Sequence, residues 1–329
     1  MKKNINLTQR PRRNRQNEAI RSLVSETDFH VGELVMPLFV IEGTQQRIAV
    51  TSMPGIDRLS VDLLVKEVEE LYGLGINAVA LFPSLPDNLK DKNATESKNI
   101  KGLLQTAVRA IKESTADICV ITDVAMDPYS SDGHDGLVEG EEIVNDATLP
   151  ILAEMAVAQA KAGADIVAPS DMMDGRVGYI RQALDDAGFT HVGILAYSAK
   201  YCSAFYGPFR DALDSKPKAG DKKTYQMDPA NIREALREVQ LDIEEGADMV
   251  MVKPALPYLD VIRVVREMTD VPVVAYNVSG EYSMICAAAQ NGWLDREECM
   301  MESLTSIKRA GADIIFTYFA KDVAKLLHD

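Results

Sequence analysis

Eight short apolar runs punctuate the chain: LVMPLFVI (34–41), LGINAVALFP (74–83), ICVITDVA (118–125), AGADIVAPS (162–170), HVGILAYS (191–198), EGADMVMVKP (245–254), VPVVAYNV (271–278) and AGADIIFTYF (310–319). Three share an (A/E)GAD opening, and LGINAVALFP is a looser version of it. Stretches of helical periodicity separate most of them. Ile100, Leu103, Leu104, Ala107, Val108 and Ile111 recur at helical spacing. Over 228–245, Ile232, Ala235, Leu236, Val239 and Ile243 share a face, Asp228 suits the N-cap, Pro229 the first helical position and Gly246 the C′ position. Strands apolar on both faces, alternating with helices, predict a parallel sheet. Eight such units in about 300 residues predict a closed (β/α)8 TIM barrel, an α/β fold. The competing architecture is an open doubly wound sheet, but no GxGxxG follows the first strand.

Chemistry in such a barrel sits at the carboxyl ends of the strands. Those ends fall near Asp123, at Ser170 and Asp171, through Tyr197 and Ser198 to Lys200, at Lys253, near Tyr276 and Ser279, and at Thr317 and Tyr318. MVMVKP raises a question, because an unpaired ammonium is costly to bury. Either Lys253 snorkels or binds an anion, or it loses its proton and reacts. Lys200, on the preceding strand, faces the same mouth. Desolvation and a second cation both lower a lysine pKa, and a neutral amine attacks a ketone or aldehyde to form a Schiff base.

Two segments flank this mouth. Residues 201–229, rich in Gly, Pro and Lys, form a long βα insertion, either a lid or a solvated loop. It carries Arg210, Lys222 and Lys223, cations suited to a carboxylate. The stretch DVAMDPYSSDGHDGLVEGEE (123–142) places Asp123, Asp127, Asp132, His134, Asp135 and Glu139 close together without a cysteine. Oxygen donors suit a hard cation such as Mg²⁺, and the alternative is a flexible acidic lid with no ion. It is not an EF-hand loop, since Asp132 stands where the turn glycine is needed.

Composition narrows the setting. The chain has 329 residues and a net charge of −15, which argues against nucleic acid as a partner. The charge is uneven: residues 1–21 carry a net +6 and the remainder −21. A basic arm on an acidic body fits docking on protein or a solvated tail. No apolar run approaches the roughly 20 residues that span a bilayer, and the N-terminus lacks the apolar segment of a secretory signal. Cys119, Cys202, Cys286 and Cys299 lie far apart, which fits a reducing compartment, the cytoplasm.

The segments MVKPALPYLD around Lys253, YSAKYCSAFYGPFRDA around Lys200, APSDMMDGRVGYIR (168–181), YNVSGEY (276–282) and DVAMDPYSSDGHDG (123–136) together resemble porphobilinogen synthase, or 5-aminolevulinate dehydratase, over essentially the whole chain. The resemblance implies a lyase that joins two 5-aminolevulinate molecules into porphobilinogen with loss of two waters, an early step of tetrapyrrole biosynthesis. It implies a (β/α)8 catalytic barrel over 31–329 and an N-terminal arm over 1–30 that embraces a neighbour in a homo-octamer built from dimers. By the same resemblance Lys253 and Lys200 form Schiff bases with the two substrates. Ser279 and Tyr318 hold the first carboxylate, with Tyr276 stacked nearby. Arg210, Lys222 and Gln226 serve the second substrate, with Asp123 and Ser170 near its amino end. The motif commonly has arginine where Lys222 stands, and lysine lacks the two-pronged contact. Ala125, Asp127 and Asp135 stand where the zinc-dependent form has three cysteines. The chain therefore resembles the aspartate-rich, magnesium-responsive branch, and a catalytic zinc is not expected. The resemblance to that branch implies Asp127 and Asp135 as possible ligands for an active-site Mg²⁺, Glu238 for an allosteric Mg²⁺ at a subunit interface, and a monovalent cation as a further cofactor. Two rivals remain at this stage: a class I aldolase, which needs only one reactive lysine, and a barrel that binds a small acid without turnover.

Overall fold

The computed structural model describes residues 7–213 and 217–328. All eight expected strands form: Leu34–Ile41 (β1), Ala78–Pro83 (β2), Cys119–Val124 (β3), Ile166–Pro169 (β4), Gly193–Lys200 (β5), Met249–Lys253 (β6), Val273–Asn277 (β7) and Ile314–Thr317 (β8). Each pairs in parallel with the next, and β8 returns to β1 through Leu34↔Ile315 and Val35↔Phe316, so the barrel is closed. The crossovers are Val61–Gly73 (α1), Leu103–Ser114 (α2), Asn145–Ala162 (α3), Arg176–Asp186 (α4), Arg233–Glu244 (α5), Leu259–Met268 (α6) and Ser279–Gln290 (α7), followed by Arg296–Ala310 (α8) and Ala320–His328 (α9). Helices cover the outside while strand side chains fill the inside, which explains why the strand sequences do not alternate: Val250, Met251 and Val252 are all fully buried.

One irregularity sets the position of the lysines. Along β6 the register to β5 moves from Val250↔Ala196 to Val252↔Ala199, so β5 carries one extra residue over this interval. Residues paired across strands project from the same face. The bulge therefore brings Lys253 opposite Lys200. An unbroken register would have set Lys253 beside Ala199 and turned the two lysines to opposite faces. The apolar run 191–198 did not reveal this, because β5 continues two residues beyond it.

Two helix starts differ from the sequence expectation. Asp228 does not cap α5. Its carboxylate accepts from Ala230 N at 2.9 Å and its carbonyl from Asn231 N at 3.0 Å, which closes a turn before the helix begins at Arg233. Ile100 lies ahead of α2 and is exposed, although Leu104, Ala107, Val108 and Ile111 are buried as their spacing predicts. The C-terminal signal of α5 holds: Gly246 has φ +104° and its N–H donates to Ile243 O at 3.1 Å.

The start of the chain forms a 3₁₀ turn, Pro11–Arg15, and a short helix, Glu18–Leu23, capped by Asn17, which accepts from Ile20 N at 3.0 Å. Neither buries a residue. Lys2 and Lys3 of the basic segment lie outside the described residues. The insertion 201–229 holds a 3₁₀ turn, Ala204–Tyr206, and a lid helix, Gly207–Leu213; residues 214–216 within it are likewise outside the described residues. The acidic run is more ordered than a flexible lid, because it leads into a hairpin of Leu137–Glu139 with Glu142–Val144. Among the described residues no helix is long and apolar enough to cross a membrane.

Gly246 yields a test of the fold. A Cβ there would meet strained backbone and lie 3.3 Å from Arg181 Cγ. Gly246→Ala is expected to cost about 1 kcal/mol or more. It should lower the thermal midpoint and leave turnover intact; an unchanged midpoint would refute the left-handed requirement.

Candidate active site

Lys253 ends β6 with its side chain inside the barrel mouth and is only 6% exposed. Its ammonium nitrogen lies 5.0, 5.2, 5.1 and 4.6 Å from the ring centroids of Tyr197, Tyr206, Phe209 and Tyr276. No carboxylate among the described residues forms an ion pair with it. Burial, reinforced by the Lys200 charge, brings its pKa down to about 7, against the pull of Asp123, Asp135 and Asp127. At neutral pH a large fraction of Lys253 is a free amine. Its backbone is fixed as well, since Lys253 O accepts from Tyr201 N at 3.0 Å and from the Tyr206 hydroxyl at 3.1 Å.

Lys200 has a different environment. Its ammonium donates to Asp135 Oδ2 at 3.0 Å and to Ser170 O. The other oxygen of Asp135 accepts from Lys222 Nζ at 2.5 Å, and Lys222 also lies 3.4 Å from Asp127 Oδ2. Burial opposes ionisation of Asp135, but the two lysines outweigh it and hold the carboxyl well below the usual range. Burial would likewise lower Lys222, yet Asp127 and Asp135 raise it. Asp123 is pushed up to about 7 by burial and by the Asp127 charge. A carboxyl and an amine that both titrate near neutrality thus face each other across the mouth, a pairing suited to proton transfer.

The lid closes over this cluster. Phe209 of the lid helix packs on Phe82 of β2 with centroids 5.1 Å apart and on Phe39 of β1 at 5.7 Å. Arg58 donates to the carbonyls of Asp211 and Ala212 and so satisfies the C-terminal end of the helix. Farther along, His134 Nε2 lies 2.9 Å from Ala219 O and Nδ1 3.1 Å from the Tyr225 hydroxyl, which also accepts from Asp135 N at 3.3 Å. These bonds latch the lid to the acidic loop. Asp123, Asp127, Ser170, Lys200, Arg210, Lys222, Gln226 and Lys253, with Tyr206 and Phe209, line a cavity holding only about 30 Å³ of free space. That is room for about one water.

On the far side of Lys253, the Tyr276 and Tyr318 hydroxyls lie 3.1 Å apart, and Ser279 Oγ accepts from Phe209 N at 3.0 Å. Ser279 opens α7, next to the end of β7.

The comparisons with known proteins agree with one another. The family model described as delta-aminolevulinic acid dehydratase matches residues 8–326. The chain belongs to the delta-aminolevulinic acid dehydratase family. The dehydratase of Bradyrhizobium diazoefficiens is 55% identical over 324 residues, covering 98% of this chain and 92% of that protein. That of Synechococcus elongatus is 53% identical, covering 97% and 99%. The crystal structure of the Toxoplasma gondii dehydratase in complex with its reaction product porphobilinogen has a TM-score of 0.96 and 53% identity, covering 97% of this chain and 92% of the other.

Within this dehydratase fold, the structure brings Lys200, Lys253, Asp123, Asp127, Ser170, Arg210, Lys222 and Gln226 to one cavity. Asp135 bridges two of its lysines, and Tyr276 lies against Lys253. Glu238 is not among them. It lies half-buried on α5, where Asp174, Arg176, Arg237, Asp242 and Glu245 line a separate pocket with it. Tyr206 and Phe209, half of the aromatic enclosure of Lys253, were missed in the sequence. Their signal was available in AFYGPF, directly after the Lys200 strand.

Dehydratases of this family are metal-dependent. Among the described residues no three or more His, Cys, Asp or Glu side chains are placed so that they could hold one metal ion. Asp127 and Asp135 do not fit an active-site Mg²⁺ in this arrangement, because the ammonium groups of Lys200 and Lys222 already engage both oxygens of Asp135. Glu238 lies in its own pocket instead, lined also by Arg176 and Arg237. Burial raises the Glu238 carboxyl, Asp174 and Asp242 add to the effect, and Arg176 only partly offsets it. Mg²⁺ commonly takes one or two carboxylates and keeps its remaining waters.

The pairing of the lysines can be tested through pH. Borohydride trapping of 5-aminolevulinate on Lys253 should rise with pH and reach its half-point near pH 7, because the deprotonated amine is the nucleophile. Lys200→Met removes the adjacent charge and should move that half-point upward. An unchanged profile would show that Lys200 does not tune Lys253.

Proposed function

We propose that Lys253 and Lys200 divide the joining of two 5-aminolevulinate molecules between them, each holding one substrate as a Schiff base. The family's reaction is the condensation of two such molecules to porphobilinogen with loss of two waters, and this chain is an enzyme of that class, a hydro-lyase of tetrapyrrole biosynthesis. The observation that carries the division of labour is the Lys253↔Lys200 register in a water-poor mouth.

The Lys253 amine attacks the ketone of the first substrate. The carbinolamine loses water to an iminium, which draws electrons from the adjacent carbon and eases proton loss there. Ser279 and Tyr318 bind the carboxylate of this substrate, and Tyr276 stacks beside it. The second substrate enters as the lid opens. Arg210, Lys222 and Gln226 bind its carboxylate, and Asp123 and Ser170 lie at its amino end. Lys200 forms the second Schiff base once it leaves Asp135. Asp123, titrating near neutrality, is the group in reach to move protons. Each Schiff base has by then released one water; formation of the carbon–carbon and carbon–nitrogen bonds expels the two lysine amines, and loss of a ring proton gives the pyrrole.

The magnesium-responsive character belongs to the Glu238 pocket in this reading. Mg²⁺ bound there by Glu238 would supply a fixed charge and ordered water between α4 and α5, outside the barrel mouth. The basic segment before residue 31, exposed over 11–15 and without a buried residue over 18–23, is the arm that docks on a neighbouring subunit in a homo-octamer, and the chain works in the cytoplasm, or in a plastid as in its chloroplastic relatives.

Lys253→Arg keeps the charge but cannot form an imine, so turnover should be abolished. Near-normal porphobilinogen formation would overturn the mechanism. In the native protein, reduction with borohydride in the presence of 5-aminolevulinate should leave a substrate mass on Lys253. For the metal, chelation should lower activity in part and shift the sedimentation profile to smaller assemblies, with Mg²⁺ restoring both. Glu238→Ala should abolish the Mg²⁺ response, and a response that persists in that variant would place the ion elsewhere.

A further inference from the structure

Glu281 is wholly buried in the first turn of α7, and no cation among the described residues forms an ion pair with it. Backbone amides surround it instead. Leu256 N donates to Oε1, Val278 N to Oε2, and Ala255 N supplies a third bond. Burial pushes its carboxyl up to about 8, while these amides favour the charged form. The amides come from two places that matter to the reaction. Ala255 and Leu256 follow Lys253 after a single proline, and Val278 immediately precedes Ser279.

The residues beside Glu281 extend the clamp. A Cβ on Gly280 would fall inside contact distance of the Phe205 carbonyl oxygen, so α7 presses backbone to backbone on the segment that carries Tyr206. Tyr206 in turn holds the Lys253 carbonyl. Ser279 accepts from Phe209 N in the lid helix.

We propose that Glu281 is a positioning residue for Lys253, tying the peptide units just after the lysine to the start of α7 so that amine and Ser279 hydroxyl keep a fixed separation. Under the reading above, the substrate is a 4-oxo acid that places its ketone at the amine and its carboxylate at the hydroxyl. The clamp therefore selects the spacing between ketone and carboxylate. This rests on the reading of Lys253 and Ser279 given above. Glu281 touches no substrate; it acts through backbone.

The test uses Glu281→Gln in the full-length protein. Glutamine keeps the shape but turns one acceptor into a donor that faces amide donors. Borohydride trapping rates at Lys253 and Lys200 are compared in native and variant protein for 5-aminolevulinate, for levulinate, and for 5-oxohexanoate, whose ketone is one carbon farther from the carboxylate. With the lysine displaced by roughly an ångström, trapping at Lys253 should fall about a hundredfold while Lys200 is unaffected. The preference for the 4-oxo over the 5-oxo acid should shrink toward unity, which general loosening of the fold would not single out. Native rates and native chain-length preference in the variant would overturn the proposal, as would an equal fall at both lysines. An absence of any Lys253 adduct in the native protein would instead defeat the reading of Lys253 itself. If Glu281→Gln does not fold, Glu281→Met, which removes the acceptors and keeps the length, is measured in the same way. Loss of the folded state in both variants would make the carboxylate a folding element and overturn the positioning role.

Discussion

The architecture of the mouth turns on one electrostatic problem: an amine whose pKa falls to about 7 must coexist with a cluster of charged lysines and carboxylates. Desolvation solves the first half. Burial, with the Lys200 charge nearby and no ion-paired carboxylate among the described residues, lowers the Lys253 pKa, although the four ring faces and the charges of Asp123, Asp135 and Asp127 favour the ammonium. The second half is solved by separation. Asp135 and Asp127 are spent on Lys222 and Lys200 rather than on Lys253. The acidic loop thereby holds Lys200 and Lys222 in ion pairs while leaving Lys253 without one among the described residues.

The lid belongs to the same balance. Its helix packs Phe209 over Lys253 and against β1 and β2, so the group that excludes water is also part of the core. Its distal part depends on polar bonds, among them His134 with Tyr225 and Lys222 with Asp135. The described part of the segment is thus anchored by apolar packing at its root and by polar bonds farther along, with little free volume beneath it.

Much of this was legible in the residue pattern, for identifiable reasons. Apolar runs of strand length alternating with helical faces left little but a barrel, and strand β1 matches its run in full. Lys253 stood out because an ammonium at the end of a buried run demands an explanation. What was hidden depends on long-range geometry. The acidic run reads in sequence either as a hard-cation site or as an acidic lid with no ion, and in space lysines from a strand end and a distant lid pair with its carboxylates. Asp228 looked like a helix cap because capping and turn formation use the same side-chain bond, and only the observed backbone shows which one won. Glu281 left no signal beyond its presence in YNVSGEY, since its partners are backbone amides that no side-chain pattern reports.

The extra residue in β5 carries a wider lesson about how such barrels acquire chemistry. Side chains on a strand alternate in direction, so the face a residue presents is a matter of odd or even count from the last fixed contact. Deleting one residue between Ala196 and Ala199 would leave the hydrophobic composition almost untouched, yet it would reverse the parity of everything downstream and send the Lys200 side chain away from the lumen. Whether the mouth holds one nucleophile or two is thus decided by the parity of a single strand, and the length of β5 is as much a part of the catalytic apparatus as the lysines themselves.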